Sequence, residues 1–306
     1  MARAGQEPDT IRQKDMSASI STIIVNYNAG DLLLGCVNSL MNCPLDIEII
    51  VVDNASNDGS LEAIVGLPIK IIRNEKNLGF AAACNAGLNA ASAPYLLFLN
   101  PDTHFEPGAL TILLEALREN GRAGMAGGLL VNPDGSEQAG GRRAVPTPWR
   151  SFVRAFGLVR FSNRWPRLFF DFHLHRQPLP EGNVEVEAIS GACMLVSRDA
   201  VSDVGTWDER YFLHCEDLDW CMRFRQKGWK IVFVPKAKIH HAQGACSRKK
   251  RMFVEWHKHR GMMIFYKKFF RHQYPAGLMA LVAAGVWMRF CMLAVYHTAN
   301  RMKRRH

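Results

Sequence analysis

Four strand-length runs, each followed by a polar loop, set the rhythm of the first hundred residues. Ile20 to Val25 (ISTIIV), Ile47 to Val52 (IEIIVV), Ile69 to Ile72 and Pro94 to Leu99 (PYLLFL) are largely apolar, as strands buried on both faces of a parallel sheet are. Between them, Asp31 to Met41, Ser60 to Val65 and Phe80 to Ala91 read as helices, the second short and the third rich in alanine. This alternation predicts an α/β fold with a right-handed, doubly wound, mainly parallel sheet. The loops NYNAG, DNASNDGS, RNEKNLG and NPDT all follow strands. They should converge on the carboxyl edge, where open α/β sheets bind ligands.

The pattern loosens from about residue 140 to 184, which reads as a long variable insertion and a candidate lid on the acceptor side. It tightens again at Ala188 to Val196 (AISGACMLV), a strand interrupted by Gly191. In WDERYFLHCEDLDWCMRFRQKGW, Leu218, Cys221, Met222 and Arg225 recur at helical spacing and Gly228 supplies a stop. Glu216 and Asp217 fall in the first turn of that helix, where its dipole favours negative charge. The apolar strand IVFVP then leads to His240 and His241.

Charge changes the picture at the C-terminus. Residues 247–306 carry fourteen Lys/Arg against the single acid Glu255, a net +13, so the rest of the chain holds about −3 of the total +10. The bases are interleaved with Trp256, Phe265, Tyr266, Phe269 and Phe270, and Arg289 is the only charge from Pro275 to Tyr296. Aromatic and apolar neighbours of this kind point to an anionic membrane surface, not to nucleic acid. Basic clusters on both sides of the apolar stretch disfavour export of either flank, so a helix pair lying on the cytoplasmic leaflet is expected.

The eight cysteines form no CxxC or zinc-like pairing and read as reduced thiols of a cytosolic protein. Residues 1–18 are polar and read as a disordered leader.

Candidate chemistry sits in the loops. Asp53, with Asn54, offers acid and amide groups suited to a base and ribose, although Asx-rich turns also form for purely local reasons. Asn77 and Gly79 precede a helix of small residues that lets backbone approach a ligand or a strand closely. No G-x-G-x-x-G follows the first strand and no P-loop occurs, which argues against a dehydrogenase and a P-loop enzyme. Asp102, after Pro101 ends its strand, can either cap the helix expected near Glu106 or offer a hard oxygen to Mg²⁺ or Mn²⁺. In HCEDLDW, Asp219 and Arg223 form an i,i+4 pair that needs no function, leaving Asp217, beside Glu216, as a candidate general base.

In order along the chain, IIVNYN, VVDNASNDGS, NLGFAAACNAG, FLNPDT, ISGACMLV, GTWDERYFLHCEDLDWCMRFRQKGW and IHHAQGACS resemble the inverting family 2 glycosyltransferases of GT-A fold. Among these the sequence is most similar to bacterial rhamnosyltransferases of cell-envelope polysaccharide assembly. The resemblance implies a nucleotide site at Asn26, Tyr27, Asn28, Asp53, Asn54, Asn77, Gly79 and Asn100. It implies a metal site at Asp102 and His240, with His241 the rival, for Mg²⁺ or Mn²⁺. Asn100 stands where the family's metal-binding motif usually has its first acid. Asp217 takes the place of the catalytic base, and Gly191, Ala192, Trp207 and Glu216 fall on the acceptor side.

The organisation then expected is a leader, 1–18, a GT-A domain, 19–247, and a membrane-associating helical tail, 248–306. The implied reaction moves a sugar, with L-rhamnose from dTDP-rhamnose as the best match, to a saccharide or polyprenyl-linked acceptor at the cytoplasmic face of a bacterial inner membrane. Two rivals are a sugar-nucleotide nucleotidyltransferase, which should carry a Gly- and Arg-rich loop where this chain has NYNAG, and a non-catalytic envelope-assembly protein, which has no need of Asp102, Asp217 and His240 together. Oligomeric state is not legible.

Overall fold

The apolar runs become strands that sort their side chains to two faces. A computed structural model describes residues 20–119, 121–242, 244 and 251–303. The expected leader, Cys246 and the terminal bases Arg304 and Arg305 lie outside them.

In chain order the elements are β1 (Ile20–Asn26), α1 (Asp31–Met41), β2 (Ile47–Asp53), β3 (Lys70–Arg73), α2 (Phe80–Ala90), β4 (Tyr95–Leu99), β5 (Thr103–Phe105), α3 (Ala109–Glu119) and β6 (Ala123–Val131). They continue with β7 (Arg142–Arg143), α4 (Pro148–Ala155), β8 (Val184–Glu185), β9 (Ala188–Ile189), β10 (Cys193–Ser197), α5 (Arg198–Val204), α6 (Glu216–Gln226), β11 (Lys230–His241), α7 (Arg251–Phe269) and α8 (Ala276–Lys303). The short helix expected at Ser60 to Val65 is a single 3-10 turn, Glu62–Ile64.

The main sheet runs β3-β2-β1-β4-β10-β6-β11-β5, with β8 also on β11. The first four strands are parallel, as the alternation predicts. The expected Ala188–Val196 strand is instead two pieces: β9 pairs with β7 in a separate two-stranded sheet, and β10 enters the main sheet antiparallel to β4 and β6. The break falls at Ser190–Ala192, around Gly191, so the sheet is mixed at its centre.

Period-2 alternation divides the core. Ile24, Val51, Leu97 and Leu195 face α1 and α3, while Ile23, Val52, Phe98 and Met194 face α2 and α6. Gly87 of α2 explains the close approach of that helix: a Cβ there would collide with Ile23, so α2 lies nearer the sheet than a larger residue permits.

The C-terminal helices are not a detached tail. Phe265, Tyr266, Phe269 and Phe270 are buried in the same core as Trp207 and Trp220. Lys268 of α7 donates to Asp219 at 2.6 Å and to Asp208 at 2.7 Å. By contrast α8 is long and apolar enough to cross a membrane, and only 6% of that stretch is buried.

Candidate active site

Polar loops at the ends of β1, β2, β3 and β4 do gather at one edge. Parallel register sets Asn26 opposite Asp53, and Asp53 opposite Arg73. Asn26 is fully buried and donates to Asp53 Oδ1 (2.8 Å), Ser56 Oγ (3.1 Å) and Ser60 Oγ (2.8 Å). Its contribution is therefore to shape the loop, since its amide donors point inward. Asn28 adopts a left-handed φ of 54° and exchanges hydrogen bonds with the second loop, its N–H donating to Ser56 Oγ and its Oδ1 accepting from Asn57 N–H. Asn54 joins the loops: it accepts from Asn74 at 2.8 Å and donates to the Gly79 carbonyl at 3.1 Å. Asn77 accepts from Gly79 N–H at 2.9 Å. Gly79 is required on two counts, a φ of 92° and a Cβ position only 2.6 Å from the Phe212 carbonyl. Tyr27 is half-buried in the same loop.

At the end of β4, Asp102 is not a helix cap. The next helix begins seven residues later at Ala109, and Asp102 leads instead into β5. Its carboxylate meets His241 Nε2 at 3.2 Å, and both side chains are buried. Asn100 Nδ2 approaches the same nitrogen at 3.4 Å. The opposite ring nitrogen, Nδ1, faces Gln138 Oε1 at 2.5 Å, an oxygen that can only accept, so Nε2 is the nitrogen that faces the Asp102–Asn100 corner.

Of the two histidines expected near the metal site, His241 meets Asp102 and His240 meets Glu106. Adjacent residues of β11 point to opposite faces of the sheet. His240 consequently turns away, stacking on His104 at 4.7 Å and reaching Glu106 at 3.2 Å.

A carboxylate oxygen and an imidazole nitrogen meet at 3.2 Å in this corner, and with Nε2 unprotonated both would present lone pairs. That donor set fits Mg²⁺ or Mn²⁺, ions that commonly take few protein ligands and complete their shell with phosphate and water. No cluster of three or more His, Cys, Asp or Glu side chains occurs among the described residues. A diphosphate would have to complete the shell.

Asp217 stands at the second position of α6. Two consecutive residues before the helix, His214 (φ 68°) and Cys215 (φ 71°), are left-handed without being glycine. Such conformations cost of order 1–3 kcal/mol each and concentrate at functional sites. Asp217 Oδ2 accepts from Gly191 N–H at 3.2 Å and from the Arg143 guanidinium, while Oδ1 accepts from Leu218 N–H at 2.7 Å. Gly191 leaves room for this approach, since a Cβ there would lie 3.3 Å from Asp217 Cβ. The Ala192 carbonyl accepts from Asn100 N–H at 2.9 Å, so the short segment 190–192 bridges the Asp102 corner to the Asp217 carboxylate.

Two residues expected on the acceptor side, Trp207 and Glu216, are buried. Trp207 is 2% exposed and packs against Trp220 with ring centres 4.2 Å apart, so it is core. Glu216 is buried, with Oε2 lacking a hydrogen-bond partner. Burial first, and then the Asp217 charge, push its carboxyl well above the ordinary glutamate range. His214 is pulled down to about 4, chiefly by burial. Arg143, His214 and Gln138 were not among the residues the sequence singled out. Two neighbouring left-handed residues and a side chain arriving from an irregular segment leave no periodic signal.

Comparison with known proteins bears on the family and the fold. The profile described as glycosyl transferase family 2 matches residues 21–205. The N-acetylglucosaminyl-diphospho-decaprenol L-rhamnosyltransferase of Mycobacterium tuberculosis is 29% identical over 265 residues, covering 82% of this chain and 84% of that protein. Among solved structures, the mannosyltransferase PcManGT from Pyrobaculum calidifontis in complex with GDP-Man and Mn²⁺ superposes with a TM-score of 0.56 at 14% identity, over 92% of this chain and 75% of that one. GalNAc-T7 with UDP, GalNAc and Mn²⁺ also gives 0.56, at 18% identity, over 74% of this chain and 44% of that one. The chain thus spans less than half of GalNAc-T7, and at these identities the two structures speak for the GT-A fold alone.

Proposed function

The chain belongs to glycosyl transferase family 2, and from that premise we propose that it transfers L-rhamnose from dTDP-rhamnose to a hydroxyl of a saccharide carried on polyprenyl diphosphate, in cell-envelope polysaccharide synthesis. The activity of the mycobacterial relative, matched over most of both chains, supports this donor and acceptor class. Family membership sets aside the nucleotidyltransferase and scaffold readings.

One observation carries the mechanism: the Asp217 carboxylate, fixed by Gly191 N–H, is bridged through segment 190–192 to the buried Asp102–His241 corner. The donor lies across the loops built by Asn28, Asp53, Asn54, Asn77 and Gly79, its diphosphate toward Asn100 and Asp102. Asp102 and His241 would hold Mg²⁺ or Mn²⁺, which supplies charge neutralisation for the diphosphate. Asp217 accepts the proton of the acceptor hydroxyl as that oxygen bonds to the anomeric carbon. The bond from that carbon to the phosphate oxygen breaks in the same displacement, the nucleoside diphosphate leaves with the electron pair, and configuration inverts. Glu216, held protonated by its surroundings, adds no second negative charge beside the base.

A thermal-shift panel of dTDP-rhamnose, UDP-N-acetylglucosamine and GDP-mannose, with Mn²⁺ or EDTA, tests the donor, because a ligand of the native state alone raises apparent stability. A Mn²⁺-dependent shift largest for dTDP-rhamnose is expected. A shift confined to another donor would replace rhamnose while keeping the enzyme class.

A further inference from the structure

Residues 148–170 (PWRSFVRAFGLVRFSNRWPRLFF) hold seven aromatic residues and five arginines with no acid. Their fold leaves much of that outside. Trp149, Phe152, Phe156, Phe161, Trp165 and Leu168 are all exposed, Phe156 by 64%. Soluble surfaces rarely gather large apolar side chains this densely unless something covers them.

Helix α4, which opens this stretch, packs against α8. The outward residues of α8, among them Leu278, Leu281, Met288, Met292 and Val295, recur at helical spacing and form one solvent-facing stripe. A groove of about 600 Å³ within this stretch is lined by Trp149, Arg150, Arg167, Leu168 and Phe170, with Tyr274 from the turn before α8, so apolar and cationic side chains share its walls. Arg150 and Arg154 are engaged with Glu187 and Asp171. Arg160, Arg164 and Arg167 are exposed and make no ion pair among the described residues.

We propose that residues 148–170 and the outer stripe of α8 together form a docking face for an anionic lipid bilayer, with the aromatic residues at the headgroup boundary and the three unpaired arginines on lipid phosphates. Charge decides the occupant. An acid-free patch of arginine and aromatic side chains complements an anionic interface, where Trp and Phe are stable in the boundary layer and each base adds attraction. The segment expected as an acceptor lid is thereby assigned to the membrane, independently of which sugar is transferred. Arg143, just before this stretch, donates to the candidate base Asp217, so the docking face adjoins a residue that holds the base.

The test is co-sedimentation of the full chain with vesicles of phosphatidylcholine alone or with about one third phosphatidylglycerol, at low and high salt. Wild type should prefer the anionic vesicles. Replacing Arg160, Arg164 and Arg167 together by Gln should weaken that binding on the order of 100-fold, and Phe156→Glu with Trp165→Glu should weaken it at high salt as well. All five positions are exposed, and unchanged circular dichroism will certify the fold; if the glutamate pair does not fold, the arginine variant alone decides. Wild-type vesicle binding by the arginine variant would overturn the proposal by leaving α8 as the whole membrane contact. A concentration-dependent dimer dissolved by these substitutions, with no preference for anionic vesicles, would overturn it in favour of a second copy.

Discussion

The Arg143 guanidinium, carried by the two-residue strand β7, donates to the carboxylate of Asp217, 74 residues further along the chain. Gly191 N–H shares the same oxygen. The candidate base is thus held from two sides by groups that no local motif contains.

Asp217→Asn keeps the shape of the side chain and removes its ability to take a proton. Turnover should fall roughly 10²- to 10⁴-fold, with the thermal shift from donor near the wild-type value. Normal turnover in this variant would dismiss Asp217 as the base.

Arg143→Met leaves Asp217 without its cation beside buried Glu216. Stability should drop by about 2 kcal/mol, read by urea unfolding, because a partly buried carboxylate loses its partner. Asp217→Asn in the same background should recover at least about 1 kcal/mol of coupling in a double-mutant cycle. Strict additivity would mean the pair contributes nothing.

His241→Ala and Asp102→Ala should each abolish the difference in dTDP binding between Mn²⁺ and EDTA, measured by calorimetry, while His240→Ala keeps it. The distinction follows from strand alternation, which directs His241 to Asp102 and His240 to Glu106. Loss of the metal effect in His240→Ala alone would reverse the assignment.

Glu216 gives a pH signature. Its folded-state pKa lies above the unfolded value, so the native state holds the proton more tightly and stability falls as pH rises above the ordinary glutamate value. Glu216→Gln should flatten that fall between about pH 5 and about pH 8 and leave the variant more stable than wild type at the upper end. Parallel melting curves across that range would show that the buried carboxyl does not control it.

Asp219 is wholly buried and accepts from Arg223 Nε (2.7 Å), Tyr211 (3.1 Å) and Lys268 (2.6 Å). Asp219→Asn should therefore lower stability by about 3 kcal/mol, with the turnover of the surviving folded enzyme close to wild type. A large loss of turnover with no loss of stability would move the catalytic role from Asp217 to Asp219.

The apolar runs made β1, β2 and β4 readable because burial on both faces requires near-continuous hydrophobicity. The i,i+4 relation made the Asp219–Arg223 pair readable for the same local reason. Two of its partners were hidden: Lys268 comes from a helix whose composition signals a membrane, and Tyr211 lies before the helix in an irregular turn. Cys193 to Ser197 looks like any buried strand, since direction within a sheet leaves no mark on hydrophobicity. Trp207 is placed on the acceptor side only by family resemblance, and an aromatic residue in a loop carries no local mark of its burial in the core. Arg143 was invisible because an irregular segment offers no period from which to infer where one side chain ends up.

The burial of Phe265, Tyr266, Phe269 and Phe270 also fixes where the chain can be shortened for crystallisation. A stop codon after residue 247 would strip an aromatic wedge and Lys268 from the enzyme and should give insoluble product. One placed in the turn between α7 and α8 keeps both and discards the apolar stripe of α8, at the expense of buried Val286, of Met279 and Val282 beside it, and of the contacts of Trp287 and Phe290 with Trp256.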